Sequence, residues 1–156
     1  MKKITLIALM IISSFGLFAQ SNGTAPLAKG DMQLNFYTGY TRWGIPLGGT
    51  FDYAVHKDVT VGGSLGFYID PSTWGTDFYV GLIFRGDYHW NYLLDIPSNI
   101  DFYTGLRLGL MPGSTFHFDG GIQVGGRYYW SDKWGVNAEI LGSSNYGFNI
   151  GLSMKL

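Results

Sequence analysis

The sequence contains no cysteine, which excludes disulfides and a diacylglyceryl-cysteine lipid anchor. Charge is scarce: 13% of the 156 residues are Asp, Glu, Lys or Arg, about half the ~25% share of an ordinary soluble protein. The formal net charge is -1 and no basic run or patch occurs, which argues against nucleic acid as a partner. Beyond the first residues, no apolar run approaches the ~20 residues that a spanning helix needs. There is no low-complexity segment, no competing helical period and, by length, one domain. What is plentiful is aromatic side chains, at 17%, and glycine, at 24 residues. A soluble domain would struggle to cover its surface with so few charges. The composition leaves a membrane β-protein or an unusually apolar secreted one.

The chain opens with Lys2 and Lys3, then an apolar run from Ile4 to Phe18, then Ala19 before the polar Gln20-Ser21-Asn22-Gly23. A positive start, a short apolar stretch and a small residue predict a secretory signal over residues 1–19. Residues 20–30 are expected to be a short periplasmic leader and residues 31–156 a single barrel domain.

Eight strand candidates follow, each with a period of two. They cover about Met32–Thr41, Leu47–His56, Val59–Ile69, Phe78–Trp90, Ile100–Leu110, Phe116–Trp130, Trp134–Leu141 and Tyr146–Leu156. In the last, Tyr146, Phe148, Ile150, Leu152, Met154 and Leu156 share one side, and Gly147, Asn149, Gly151, Ser153 and Lys155 the other. The clusters Asp70-Pro71-Ser72-Thr73-Trp74-Gly75 and Met111-Pro112-Gly113-Ser114 break the alternation, as Pro and Gly do. Eight strands of this length predict an all-β fold, an eight-stranded antiparallel up-and-down transmembrane β-barrel.

Charge placement decides which face is outside. Asp52, Asp70, Arg85, Asp87, Asp101, Arg107, Asp119, Arg127, Glu139 and Lys155 fall in the strand segments. One register puts all of them on the face of the glycines and small polar residues. An Arg or Lys on a lipid face at mid-depth costs roughly 2–4 kcal/mol, so a lipid face excludes them. A soluble, ligand-carrying barrel needs the reverse, and its surface gives no reason for crowding glycine beside charge. The lumen is therefore expected to hold a charge network of Asp52, Arg85, Asp87, Asp101, Arg107, Asp119, Arg127 and Glu139. Within it Arg107 is expected near Asp119, and Arg127 diagonally near Glu139. Two aromatic belts are expected at the membrane interfaces. Tyr88, Trp90, Tyr92, Tyr128, Trp130 and Trp134 form one, and Tyr40, Trp43 and Trp74 the other.

The run Tyr128-Tyr129-Trp130-Ser131-Asp132-Lys133-Trp134-Gly135 resembles the aromatic, short-turn, aromatic-Gly hairpin of small outer-membrane barrels. That group includes the barrel domain of outer membrane protein A, OmpX-type proteins and opacity-type proteins. The alternating last strand resembles their assembly signal, ending in Leu156 where members often end in Phe. The resemblance implies a monomer in the Gram-negative outer membrane with both termini periplasmic. It also implies contact with outer-membrane lipid, help from the barrel-assembly machinery during insertion, and no cofactor. No peptidoglycan-binding domain is expected to follow.

The loops expected outside, around Arg42, Trp74, Gly113 and Ser143, are short. Adhesins and receptors of this group carry long ones, so a structural, envelope-integrity role is expected. A narrow ion or small-solute channel, gated by the lumen charges, is the alternative. A lipid A-modifying enzyme is a weaker one: Ser114, His117 and Asp119 supply the residue types, but Ser114 sits in a Pro-Gly turn and the triad needs a serine against a held base. No enzyme activity is expected. His56, His89 and His117 lie on three strands without ligand spacing, so no metal site is expected either.

Overall fold

The computed structural model describes residues 23–70, 78–112 and 116–156. The expected signal, the start of the leader, Trp74 and Ser114 lie outside the described residues. Eight antiparallel strands follow in chain order: β1 (Met32–Thr41), β2 (Ile45–His56), β3 (Val59–Ile69), β4 (Phe78–His89), β5 (Ile100–Met111), β6 (His117–Tyr129), β7 (Trp134–Ser143) and β8 (Gly147–Lys155). Each pairs with the next, and β1 pairs with β8, so the sheet closes into an up-and-down barrel with no free edge. Between β4 and β5 lies a single helical turn, α1 (Asn91–Leu94). Four residues are too few to leave a helical period, which is why the alternation gives no sign of it. Three strands are longer than the expected spans: β2 begins at Ile45, β5 ends at Met111 and β7 runs on to Ser143.

The alternation becomes an inversion of the usual inside and outside. Along β7 exposed and buried residues alternate without a break from Trp134 to Leu141. The exposed side is apolar, with Phe36, Phe51, Leu65, Phe84, Leu106, Phe118, Ile140 and Ile150 all exposed. The buried side is polar: Gln33, Asp52, Thr60, Asp87, Asp101, Asp119, Gln123 and Arg127 are all buried.

The ladder shows how a narrow interior takes such large groups. Asp52 and Arg85 both stand directly opposite Gly62 on β3. Asp87 faces Gly105, and Arg107 faces Gly121. Gly109 faces Asp119, and Gly125 separates Tyr103 from Glu139. Tyr37 has Gly48 on one side and Gly151 on the other. Directly opposed Cβ atoms stand only about 4.5–5.5 Å apart, so bulky inward side chains crowd one another. A glycine beside many of the large groups gives them room to lie across the lumen, and where two large groups are opposed, as Asp101 and Arg127 are, they pair.

Strands, turns and leader meet at two rims. At the rim opposite the termini, β1 turns into β2 through Thr41 and Gly44, which exchange backbone hydrogen bonds of 2.9 and 3.0 Å. Gly44 has φ +108, a conformation that suits glycine. At the termini-side rim, the Gly30 amide donates to the Ala54 carbonyl (2.8 Å) and the Gly23 amide to Asp95 Oδ1 (2.8 Å). Asp95 follows α1, between β4 and β5, which is the opposite side of the ring from β1. Residues 23–30 therefore reach at this rim from β2 to the β4–β5 connection, beside Lys57, Asp58 and Tyr92, with Leu27 buried.

The glycine spacing yields a direct test. A Cβ at Gly125 would overlap the Tyr103 ring, standing 2.8 Å from its Cε2. Gly125→Ala should lower stability by about 1–3 kcal/mol, as overpacked interiors do, whereas Gly63→Ala, whose Cβ has nothing nearer than 3.7 Å, should change it by less than about 1 kcal/mol. Urea unfolding in phospholipid vesicles measures both, and equal effects would contradict the account.

Candidate functional site

The inward faces of all eight strands converge on one hydrogen-bonded network. Its centre is Arg127 on β6, whose Nη1 donates to Asp101 Oδ2 at 2.7 Å and whose Nη2 donates to Asp52 Oδ2 at 3.0 Å. The Arg127 guanidinium also lies over the Tyr103 ring, 4.1 Å from its centroid. Arg85 on β4 donates to Glu139 Oε2 at 2.7 Å and from Nε to Asp87 Oδ2 at 2.9 Å. Its Nε is 3.7 Å from Asp52 Oδ1, which links the two arginine clusters. The Tyr103 hydroxyl donates to the same Glu139 oxygen at 2.9 Å. Gln123 Nε2 donates to Asp87 Oδ1 at 2.6 Å.

Uncharged groups carry the network to the remaining strands. Asn35 on β1 donates to Thr50 (2.6 Å) and to Asp52 (2.9 Å), and accepts from Ser153 on β8 (2.7 Å). Ser153 in turn accepts from Asn137 on β7 (3.1 Å). The Tyr129 hydroxyl donates to Gln33, whose amide donates to Asn35 at 2.7 Å. His89 closes the circuit: Nδ1 is 2.7 Å from Asp101 Oδ1, and Nε2 is 3.0 Å from Thr60 Oγ1 on β3.

Arg107 and Asp119 form a separate pair nearer the other rim, with Nε donating to Oδ2 at 2.9 Å. The other Asp119 oxygen accepts from the Asn145 amide (3.1 Å) and from Ser144 Oγ (3.3 Å). Arg85 and Arg107 are directly opposed on β4 and β5. Each turns to its own carboxylates, one toward Asp87 and Glu139 and the other toward Asp119.

The structure thus places Asp52, Arg85, Asp87, Asp101, Arg107, Asp119, Arg127 and Glu139 inside the barrel, all buried. The expected approach of Arg127 to Glu139 is not found. Asp101 is the residue directly opposite Arg127 on β5, and the Tyr103 ring fills the diagonal between Arg127 and Glu139. Five carboxylates meet three guanidinium groups here, and buried charge is tolerated only when paired and hydrogen-bonded. The surplus is met by neutral donors, Gln123, Asn35, Tyr103 and the Asn145 amide. The sequence pattern assigned none of these donors to the network and weighed His89 only as a metal ligand, although each lies on the inward side of its strand or beside its end.

The aromatic residues divide differently from the expectation. Tyr40, Tyr128, Trp130 and Trp134 are exposed at the rims. Tyr88 and Trp90 pack edge to face with centroids 5.1 Å apart, and the Trp90 indole donates to Thr104 Oγ1 at 3.0 Å. Trp43 does not join an outer belt. It packs against the buried Tyr68, Ile83 and Met111, and its ring stacks on His117 at 5.5 Å. The short turn at Gly44 swings it over the mouth, where an apolar cluster accepts it.

The space left at the centre is about 10 Å³, bordered by Tyr37, Arg85, Tyr103, Arg127, Glu139 and Asn149. That is about the volume of one probe sphere, room for about one water. Of the residue types considered for lipid A chemistry, Asp119 is engaged by Arg107 and His117 by Trp43. Among the described residues, no three His, Asp or Glu side chains are placed to hold a metal ion.

No protein-family model matches the chain, and no curated protein does. Solved structures do. The N-terminal β-barrel domain of OprF from Pseudomonas aeruginosa superposes with a TM-score of 0.64 at 14% identity, covering 83% of this chain and 100% of that one. A de novo designed transmembrane β-barrel gives 0.59 at 15% identity, covering 83% and 98%. A second design, TMB2.3, solved by solution NMR, gives 0.54 at 16% identity, covering 88% and 98%. The shared property is the fold, that of a small eight-stranded transmembrane β-barrel.

The two arginine sites differ in a testable way. Removing Arg127 takes the guanidinium from two carboxylates at once, leaving Asp52 with Asn35 and Asp101 with His89, and breaking a buried pair costs about 3–5 kcal/mol. Asp119 keeps the Asn145 amide and Ser144 when Arg107 is lost. Arg127→Met should therefore destabilise the barrel by clearly more than Arg107→Met in vesicle unfolding. Equal losses would show that the Arg127 network is not cooperative.

Proposed function

We propose that the chain is an integral protein of the Gram-negative outer membrane whose role is structural, a lipid-embedded barrel contributing to envelope integrity. The observation that carries this reading is the inversion of the faces. Three arginines and five carboxylates are buried in the lumen, while the encircling outer surface is built of Phe, Leu, Ile and Val. An apolar surface that continuous far exceeds the ~300–600 Å² patches of soluble monomers. Lipid is the solvent that such a surface fits. The filled centre favours a structural part over transport, since side chains occupy the line along which a solute would pass. By the same reading the termini-side rim faces the periplasm and the short turns at the other rim face outward. Assembly machinery and lipid are the partners this requires, and the protein works as a monomer without a cofactor.

The narrow channel is the rival reading. It finds its support in Arg127 Nε and Asn149 Oδ1, which have no hydrogen-bond partner and belong to residues bordering the central void. Planar-bilayer recording separates the two. The structural reading expects no discrete conductance steps from the wild-type protein, whereas regular steps that change in Arg127→Ala would establish the channel.

The lipid face has its own test. Phe84 is 75% exposed at the middle of β4. On a soluble protein, Phe84→Arg would shift stability by only about 0.5 kcal/mol or less. At mid-bilayer it should cost roughly 2–4 kcal/mol, read from the unfolding midpoint in vesicles. A neutral result would turn the search toward a water-soluble barrel.

A further inference from the structure

We infer that α1 is an interfacial foot: the turn Asn91–Leu94 inserts Tyr92, Leu93 and Leu94 into the headgroup–acyl boundary of the leaflet at the termini-side rim. The inference rests on the membrane-spanning reading above and extends it beyond the strands.

The turn exposes three consecutive large side chains, Tyr92 at 57%, Leu93 at 59% and Leu94 at 58%. At the same rim, the turns Lys57-Asp58 and Ser131-Asp132-Lys133 carry polar residues. Nothing in the fold needs apolar groups here, because the inward position of the turn is taken by Asn91, which is fully buried. Its amide donates to the Ile100 carbonyl at 2.6 Å and its side-chain oxygen accepts from the Phe102 amide at 3.5 Å. Those bonds pin α1 to the start of β5 and leave the next three side chains without a protein core to enter.

Depth and continuity point to the occupant. Twelve residues of β4 at ~3.3 Å each, tilted by ~40°, rise about 30 Å, slightly more than the ~25 Å apolar band of such barrels. The turn that follows His89 and Trp90 therefore lies at the boundary layer, neither in the hydrocarbon centre nor far out in water. It continues the aromatic edge formed by Tyr88 and Trp90. Tyr and Leu carrying a nearby cation are suited to that layer. Lys57, on the neighbouring turn, supplies the cation, its Nζ 3.6 Å from the Tyr92 ring centroid. On the polar side, Asp95 receives the Gly23 amide of the leader. The turn thus has an apolar side toward lipid and a polar side holding the segment that precedes β1.

The cysteine-free sequence permits a clean test. Single cysteines introduced as Leu93→Cys, Leu94→Cys, Phe84→Cys and Lys133→Cys would each carry a nitroxide label. The proteins would be placed in phosphatidylethanolamine–phosphatidylglycerol vesicles. Spin relaxation by oxygen and by a water-soluble nickel chelate then reports depth. Positions 93 and 94 should show a several-fold lower nickel accessibility than position 133, and a shallower depth than position 84. If they match position 133 while position 84 is lipid-buried, the interfacial foot is wrong and the spanning barrel stands. If position 84 itself is open to the nickel chelate, the membrane reading fails and the inference falls with it.

Discussion

The interior of an eight-stranded barrel is just wide enough for side chains to fill, and this one is filled with charge. That constraint governs the rest of the structure. Large polar groups enter where their lateral neighbours give way or pair with them, and glycine across the ladder is the commonest way of giving room. Asp52, Gly62 and Arg85 form one such row, and Tyr103, Gly125 and Glu139 another. The inward-facing glycines are therefore a packing requirement of the lumen. Once inside, the charges must be paired, and pairing across the lumen binds strands that share no backbone hydrogen bonds. Arg127 on β6 holds Asp52 on β2, and Arg85 on β4 holds Glu139 on β7.

The outside follows from the inside. With the polar groups committed to the lumen, the alternation leaves each strand an apolar outer edge. In water such a molecule would expose a belt of Phe, Leu and Ile that no soluble monomer of this size tolerates. In a bilayer the same belt has no unmet requirement, because closure satisfies every strand edge. The outer surface and the lumen network are two consequences of one period-two pattern.

Most of this was legible in the residues. The alternation located eight strands and put the charges on one face, because a strand's side-chain direction is fixed by parity alone. Arg107 meets Asp119 on a diagonal across the β5–β6 hairpin, whereas the same diagonal across β6–β7 leaves Arg127 and Glu139 apart, because the Tyr103 ring lies over Arg127 with its hydroxyl on Glu139. Parity does not determine who meets across the lumen. That depends on strand tilt and stagger, so the reach of Arg127 to Asp52, 75 residues away, had no local sign. The inward position of His89 and of the neutral donors was readable from the same parity, but charge drew attention away from them. Trp43 was misplaced because it stands in a turn, where alternation says nothing of direction. The turn α1 escaped for a similar reason: four residues are too few to leave a period.

The central claim is that the apolar face meets lipid around a closed barrel. The most direct measurement is the electrophoretic mobility of the protein purified from outer membranes in detergent, run in SDS with and without boiling. The account predicts a membrane-fraction protein that migrates as a compact form unboiled and shifts to its unfolded mobility when heated. A protein recovered in the aqueous fraction, with one mobility under both conditions, would contradict it.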